Sequence, residues 1–373
     1  MSTLALSAVV SFLLALLLGA SAVLAPVPAL HLAFAVGVLP LIFGAMLHFV
    51  PVLTRTGSPH RLIASLPFAA QATGILVVLG LQGILPRVLL HPAATMDLLL
   101  ALTLLGWIVH RSRRTLGSPH PGWRWYAASL VLLILALLAV PLLLAGIVPA
   151  AMRGFHLHAN TLGFIGLAAL GTLPVLMPTV LGRGDPQAAP WLRRHLPFAA
   201  AAVLLLASGV ALWWPFSLIG GALLLMVVAS LLRHWQRSVG FALLLGDGAA
   251  TSLFAALIGY FLLLLSGLAH ASGVIHTQGV VFAFAAGFLL PLVTGALAQL
   301  LPVWRFPGMQ TPARVEMRKC MVRFGRWRAL IFPVAGLSFM FGTERAGAVG
   351  VACALVLFFV DLLQALRVPP SAR

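Results

Sequence analysis

The chain has 373 residues, of which 62% are hydrophobic and 8% charged, and its formal net charge is +17. A soluble domain of that length has too little interior to hide so much apolar surface, so the composition excludes an ordinary soluble enzyme. The basic surplus invites a nucleic-acid partner, but the placement of the arginines along the chain argues against one.

Apolar runs of about 18 residues or more, the length that crosses a bilayer core, recur along the whole sequence. They predict spans at about 5–24, 31–53, 62–84, 95–110, 125–147, 156–181, 196–212, 216–232, 247–269, 274–301, 329–342 and 347–366. The first run has no basic segment before it and reads as a span, not as a cleaved signal peptide. With the N-terminus cytoplasmic, 20 of the 23 basic residues fall in cytoplasmic segments, and only Arg87, Arg153 and Arg345 fall outside. That asymmetry follows the positive-inside rule and supports twelve spans with both termini in the cytoplasm of a bacterial inner membrane. The expectation is an all-α polytopic membrane protein, one integral domain over 1–373. Its shortest predicted span is 329–342. Cys320 falls in a cytoplasmic loop and Cys353 within the last span, so no disulfide is implied.

Three spans share a frame. The second reads His31, Gly44, Pro51 and the sixth reads His158, Gly171, Pro178, each with 12 and then 6 residues between. The tenth keeps Gly295 and Pro302 at the same separation, with Phe282 in the place of the histidine, and Pro40 and Pro291 both precede their glycine by four residues. The chain therefore reads as three pseudo-repeated four-helix units, approximately 1–124, 125–246 and 247–373. The patterned helices are predicted to be innermost, because glycine admits a close neighbour and proline loosens the backbone near the interface.

Of the 12 histidines, His60, His120, His195 and His234 fall among cytoplasmic arginines and read as solvated, and His48 and His110 lie near cytoplasmic helix ends. His31, His91, His156, His158, His270 and His276 fall near outer helix ends, and the three patterned helices begin with His31, His156/His158 and His276. Polar groups inside a bilayer are costly and tend to mark function, and neutral imidazole is a good ligand for haem iron, copper or zinc. Two residues on a helix turn through about 200°, so His156 and His158 point to opposite sides of it. His276 lies one turn before the position of His156 in the shared frame, and so projects from a comparable face.

The stretch HLHANTLGFIGLAALGTLPVLMPTVLG, from His156, resembles an inner helix of the haem–copper oxidase subunit I superfamily. In that family a His-x-His pair opens such a helix, and a glycine and a proline follow in frame. HLAFAVGVLPLIFGAMLHFVP, from His31, is similar to the family's second helix, whose histidine ligates haem. The small size resembles the NnrS-like, nitric-oxide-associated branch. The resemblance implies a haem b protein, with copper as a second metal, a gaseous or nitrogen-oxide ligand, and His31, His158 and His276 on iron. It implies that His156 faces a second haem or copper site, and that Arg153 and Arg345 pair with haem propionates.

The sequence departs from the oxidases. Their His-x-His pair lies on the tenth helix, and here it lies on the sixth. The seventh span has no histidine, and neither the sixth nor the seventh has a tyrosine. Asp97, Asp247 and Asp361 lie toward the ends of predicted spans, so no run of carboxylates makes a proton channel. A proton-pumping oxygen reductase is therefore rejected. Met46 and Met177 read as packing or soft copper ligands, Asn160, Gln278 and Gln299 as interhelical hydrogen-bonders, and Trp191, Trp213, Trp214, Trp235 and Trp304 as interfacial belts. The competing reading is a transporter or metal-handling assembly factor that uses the outer histidines without a redox cofactor. Whether the chain is an enzyme, and what donates electrons, the sequence leaves open.

Overall fold

The computed structural model describes residues 2–271, 273–275 and 277–369. Among these the secondary structure is entirely helical. Eleven helices are long and apolar enough to cross a membrane. They are α1 (Ser2–Ala20), α2 (Pro26–Thr54), α3 (Arg61–Leu81), α4 (Arg87–Arg113), α5 (Gly122–Leu144), α6 (Met152–Val180), α7 (Ala188–Ala211), α8 (Trp214–Ser238), α9 (Gly248–Leu265), α10 (Gln278–Arg305) and, after the shorter α11 (Pro312–Val322) and α12 (Gly325–Met340), α13 (Glu344–Leu366). The chain is an all-α integral membrane protein. The eleventh predicted span, 329–342, falls on α12, which has 16 residues. That is a rise of about 24 Å, short of a hydrocarbon core of about 30 Å.

Burial separates the helices. Of the most apolar stretch of each, 61% is buried in α2, 78% in α6 and 72% in α9 and α10, against 28–39% in the other seven spanning helices. The three patterned helices are thus among the inner ones, as their glycines and prolines suggest. Contacts gather the chain into two compact units, residues 1–172 with 187–220, and residues 173–186 with 221–373. In the first unit α1 and α3 flank the N-terminal half of α2, α4 packs on α3 and α5, and α5 and α7 flank α6. In the second, α9 packs on α10 and α12, and α12 packs on α13.

Each patterned helix is interrupted by a π-helical segment: Leu32–Val38 in α2, Ala159–Ile165 in α6 and Phe284–Leu289 in α10. The first begins directly after His31 and the second directly after His158, and all three end seven residues beyond the frame position held by His31, His158 and Phe282. Proline explains two of them. It has no N–H to give the carbonyl four residues earlier, and its ring crowds that carbonyl. Pro40 therefore releases the Val36 carbonyl, which accepts a bond from the Gln71 side chain of α3 at 3.3 Å. Pro291 releases the Gly287 carbonyl, and Gly259 of α9 lies against it so closely that a Cβ on Gly259 would stand 1.9 Å from that oxygen. A Cβ on Gly336 of α12 would stand 2.9 Å from the Gly287 Cα. Three glycines thus let α9, α10 and α12 meet backbone to backbone. The middle π segment holds Leu167 at the matching place and forms without a proline.

Gly259→Ala is expected to destabilise the protein by about 1–3 kcal/mol through overpacking, read as an earlier midpoint in thermal unfolding in detergent. Gly106→Ala, on an open face of α4 with nothing within 4 Å, is expected to be neutral or slightly stabilising. Equal effects of the two would remove the close approach at Gly259 from the account.

Candidate functional site

The N-terminal end of α6 gathers several polar side chains. Ala136 of α5, Ala159 of α6 and Ala207 of α7 are fully buried together, with Phe155 packed on them. Small residues at this crossing bring the backbones close, and that places His156 against α5. Its Nδ1 hydrogen-bonds the Ala136 carbonyl at 3.0 Å. The Nδ1 of His158 bonds the Gly154 carbonyl of its own helix at 2.8 Å, and the Nδ1 of His31 bonds the Val27 carbonyl at 2.9 Å. The two α6 rings thus leave the helix in different directions, as their spacing predicts.

A carbonyl has no proton to give, so in each of these bonds Nδ1 carries the hydrogen. Each neutral ring then presents the Nε2 lone pair as an acceptor. This is how metal-ligating imidazoles are usually held, with the other nitrogen donating to a backbone or carboxylate oxygen. Asn160, one turn beyond His156, donates from Nδ2 to the His156 carbonyl at 2.7 Å and lies 3.4 Å from the ring's Nε2. It was expected to bond across helices, and it turns back because its short amide reaches the carbonyl four residues earlier.

The other predicted residues are more scattered. Arg153 is exposed in the first turn of α6, three residues before His156, and Arg345 is exposed in the first turn of α13 in the second unit. His276 lies outside the described residues. Met46 and Met177 are fully buried and act as packing. Among the described residues, no three His, Cys, Asp or Glu side chains converge to hold a metal ion.

Several loop and belt residues sit differently from the expectation. Trp213 and Trp214 are exposed as belt residues would be, but Trp191 and Trp235 are buried. Trp191 stacks on Trp125 at 5.7 Å and on His195 at 4.5 Å, which takes His195 out of the solvated set. His234 pairs with Asp185 at 2.6 Å. His120 is half-buried, its Nδ1 accepts from the Gly122 N–H at 3.3 Å, and burial together with nearby Arg193 holds its imidazole below the usual range.

In the second unit the sequence marked Gln299 as an interhelical hydrogen-bonder, and it is one, but sequence reasoning missed its partner and the ion pairs around it. Arg318 of α11 donates through Nε to Gln299 of α10 at 2.7 Å. Through Nη2 it reaches the Val180 carbonyl at 3.1 Å and Asp247 at 2.8 Å. Asp247 in turn caps α9 by accepting from the Ala249 and Ala250 N–H groups at 3.0 and 3.1 Å. Arg328 of α12 and Asp361 of α13 form an ion pair with both side chains fully buried, and Arg328 also donates to the Met321 carbonyl at 3.0 Å. The sequence showed only seven basic residues between 305 and 328. The one signal for the pair was an aspartate inside an otherwise apolar span.

No protein-family model and no curated protein matches the sequence.

Arg328→Met leaves Asp361 as a buried charge without its partner and is expected to cost about 3–5 kcal/mol of stability. The double variant Arg328→Met/Asp361→Leu is expected to recover most of that loss. Thermal unfolding of the detergent-purified proteins measures both, and a single variant as stable as the parent would refute the buried pair.

Proposed function

We propose that the chain is a haem-binding membrane redox protein of oxidase-like type, with haem b held at the outer ends of its inner helices. The observation that supports this reading best is the shared tautomer of His31, His156 and His158, each with Nδ1 donating to a backbone carbonyl, so that Nε2 is the nitrogen without a hydrogen. A haem asks for only one or two axial imidazoles, whereas a bare copper or zinc ion asks for three or four protein ligands. The donor set therefore fits a haem better than a lone ion, and copper remains a second metal to assay. The resemblance of the α2 and α6 stretches to the oxidase superfamily points the same way, and its NnrS-like branch suggests nitric oxide or a related small ligand.

In this reading His31 and His158 bind iron, and the carbonyls of Val27 and Gly154 orient their rings. His276 is the ligand proposed from the tenth span. His156 faces a second site, steadied by Ala136 and Asn160. Arg153 and Arg345, two of the three outer arginines, are proposed to meet propionates by charge-assisted hydrogen bonds. Bound haem would supply one-electron chemistry and a place for a diatomic ligand. The protein's part is to exclude water, fix the imidazoles and balance charge. The arginine asymmetry is the argument for putting the proposed site on the outer face of a bacterial inner membrane.

The test is a reduced-minus-oxidised optical spectrum of the purified protein, with iron and copper measured on the same sample. A b-type band that is lost on His31→Ala or His158→Ala is the expected result, while Arg153→Gln lowers haem content. A colourless, metal-free protein from cells with ample haem would overturn the reading. A transporter or metal-handling role for the outer histidines would then take its place.

A further inference from the structure

Asp97 belongs to no site described above. The sequence puts it near the start of a span, but α4 begins earlier, at Arg87, because a short 3-10 turn at Arg87–Leu89 leads directly into the helix. Asp97 therefore lies ten residues inside a helix of 27, close to its middle. It is 5% exposed, and its partner Thr73, near the middle of α3, is 7% exposed.

The hydrogens around Asp97 can be counted. The Thr73 hydroxyl lies 2.9 Å from the Ala70 carbonyl of its own helix and also contacts the Asp97 carboxyl. A hydroxyl has a single proton to donate, and the Ala70 carbonyl can only accept. If Thr73 donates to Ala70, the proton in the Thr73–Asp97 bond must come from Asp97. A neutral carboxylic acid satisfies both bonds. An ionised carboxylate would leave one of them unmade and would hold a charge at mid-membrane with a single hydroxyl for company, which is costly in so apolar a place.

No cation relieves that cost. Among the described residues α3 has one ionisable side chain, Arg61, at its cytoplasmic start. From α5 come Arg124, near the cytoplasmic end, and Tyr126, whose hydroxyl is bonded to Thr172 at 2.8 Å. α2 brings His31 near its start, with Nδ1 bonded to the Val27 carbonyl at 2.9 Å, and His48 near its other end, and α4 itself carries Arg87 and His91 at one end and His110, Arg111 and Arg113 at the other. None of these makes a hydrogen bond or ion pair with Asp97.

We propose that Asp97 is a proton-binding site in the middle of the membrane, a carboxylic acid that holds its proton at neutral pH by donating it to Thr73. Such an acid is a store from which the first unit can release, or to which it can return, one proton when charge nearby changes. The proposal does not depend on a haem.

The experiment is infrared spectroscopy of the full-length protein in detergent at neutral pH, in ordinary and heavy water, beside Asp97→Asn and Thr73→Val. A protonated-carboxyl C=O band that shifts in heavy water and disappears in Asp97→Asn is expected. Thr73→Val removes the acceptor, so the band should remain but move to higher frequency. Asp97→Asn replaces a neutral acid with a neutral amide of the same shape, so its melting temperature should stay close to that of the parent. Should Asp97→Asn fail to fold, the Thr73→Val shift decides alone. A parent spectrum without the band, or a band unmoved by either substitution, would overturn the proposal whatever the haem content proves to be.

Discussion

Every polar group of a backbone that crosses lipid must find its partner within the protein, because hydrocarbon offers none. The inner helices α2, α6 and α10 loosen their own hydrogen-bond ladders with π segments, and the surrounding helices take up what is released. Gln71 takes the carbonyl released by Pro40, and Gly259 closes against the one released by Pro291. The positions of α3 and α9 beside the inner helices answer to this constraint as much as to the packing of apolar side chains. Such segments are uncommon and often accompany functional sites. Two of the three begin immediately after a histidine of the candidate site.

The same economy of partners holds the histidines. In an apolar setting a ring nitrogen that carries a hydrogen needs an acceptor, and the nearest are backbone carbonyls one turn back or on a neighbouring helix. His31 and His158 use the first solution and His156 the second. The opening pair of α6 thus serves two directions at once. One ring follows its own helix and the other crosses to α5, where three buried alanines make room for the approach.

Much of this was legible in the sequence, and the rest was not for identifiable reasons. Long apolar runs and the placement of arginine carry the class of the fold, because the bilayer sets helix length and charge bias so strongly. The shared frame of His31, His158 and Phe282 marked three of the four most buried helices and gave no sign of the fourth, α9. The reading of 329–342 as a full span came from its apolar content, which does not reveal that α12 starts among arginines and has only 16 residues. Asp97 looked terminal because His91 and Pro92 resemble a loop, yet a proline in the first turn of a helix is well tolerated. Asn160 looked like an interhelical bonder because sequence shows residue type and not direction. The Arg328–Asp361 pair was hidden because the two residues are 33 apart and meet only when α12 and α13 pack together.

That pair also bears on how the molecule is assembled in the bilayer. α12 is short and carries a guanidinium whose placement alone in hydrocarbon costs about 2.5–3.5 kcal/mol. α13 is long and, between its charged first turn and Gln364, carries one charged group, Asp361. Neither charge meets an opposite one until the other arrives, so the pairing of Arg328 with Asp361 ties the docking of α12 on α13 to the burial of both. An arginine that looks like a topological marker for the cytoplasm is, in the finished fold, the latch that tells α12 its neighbour is in place.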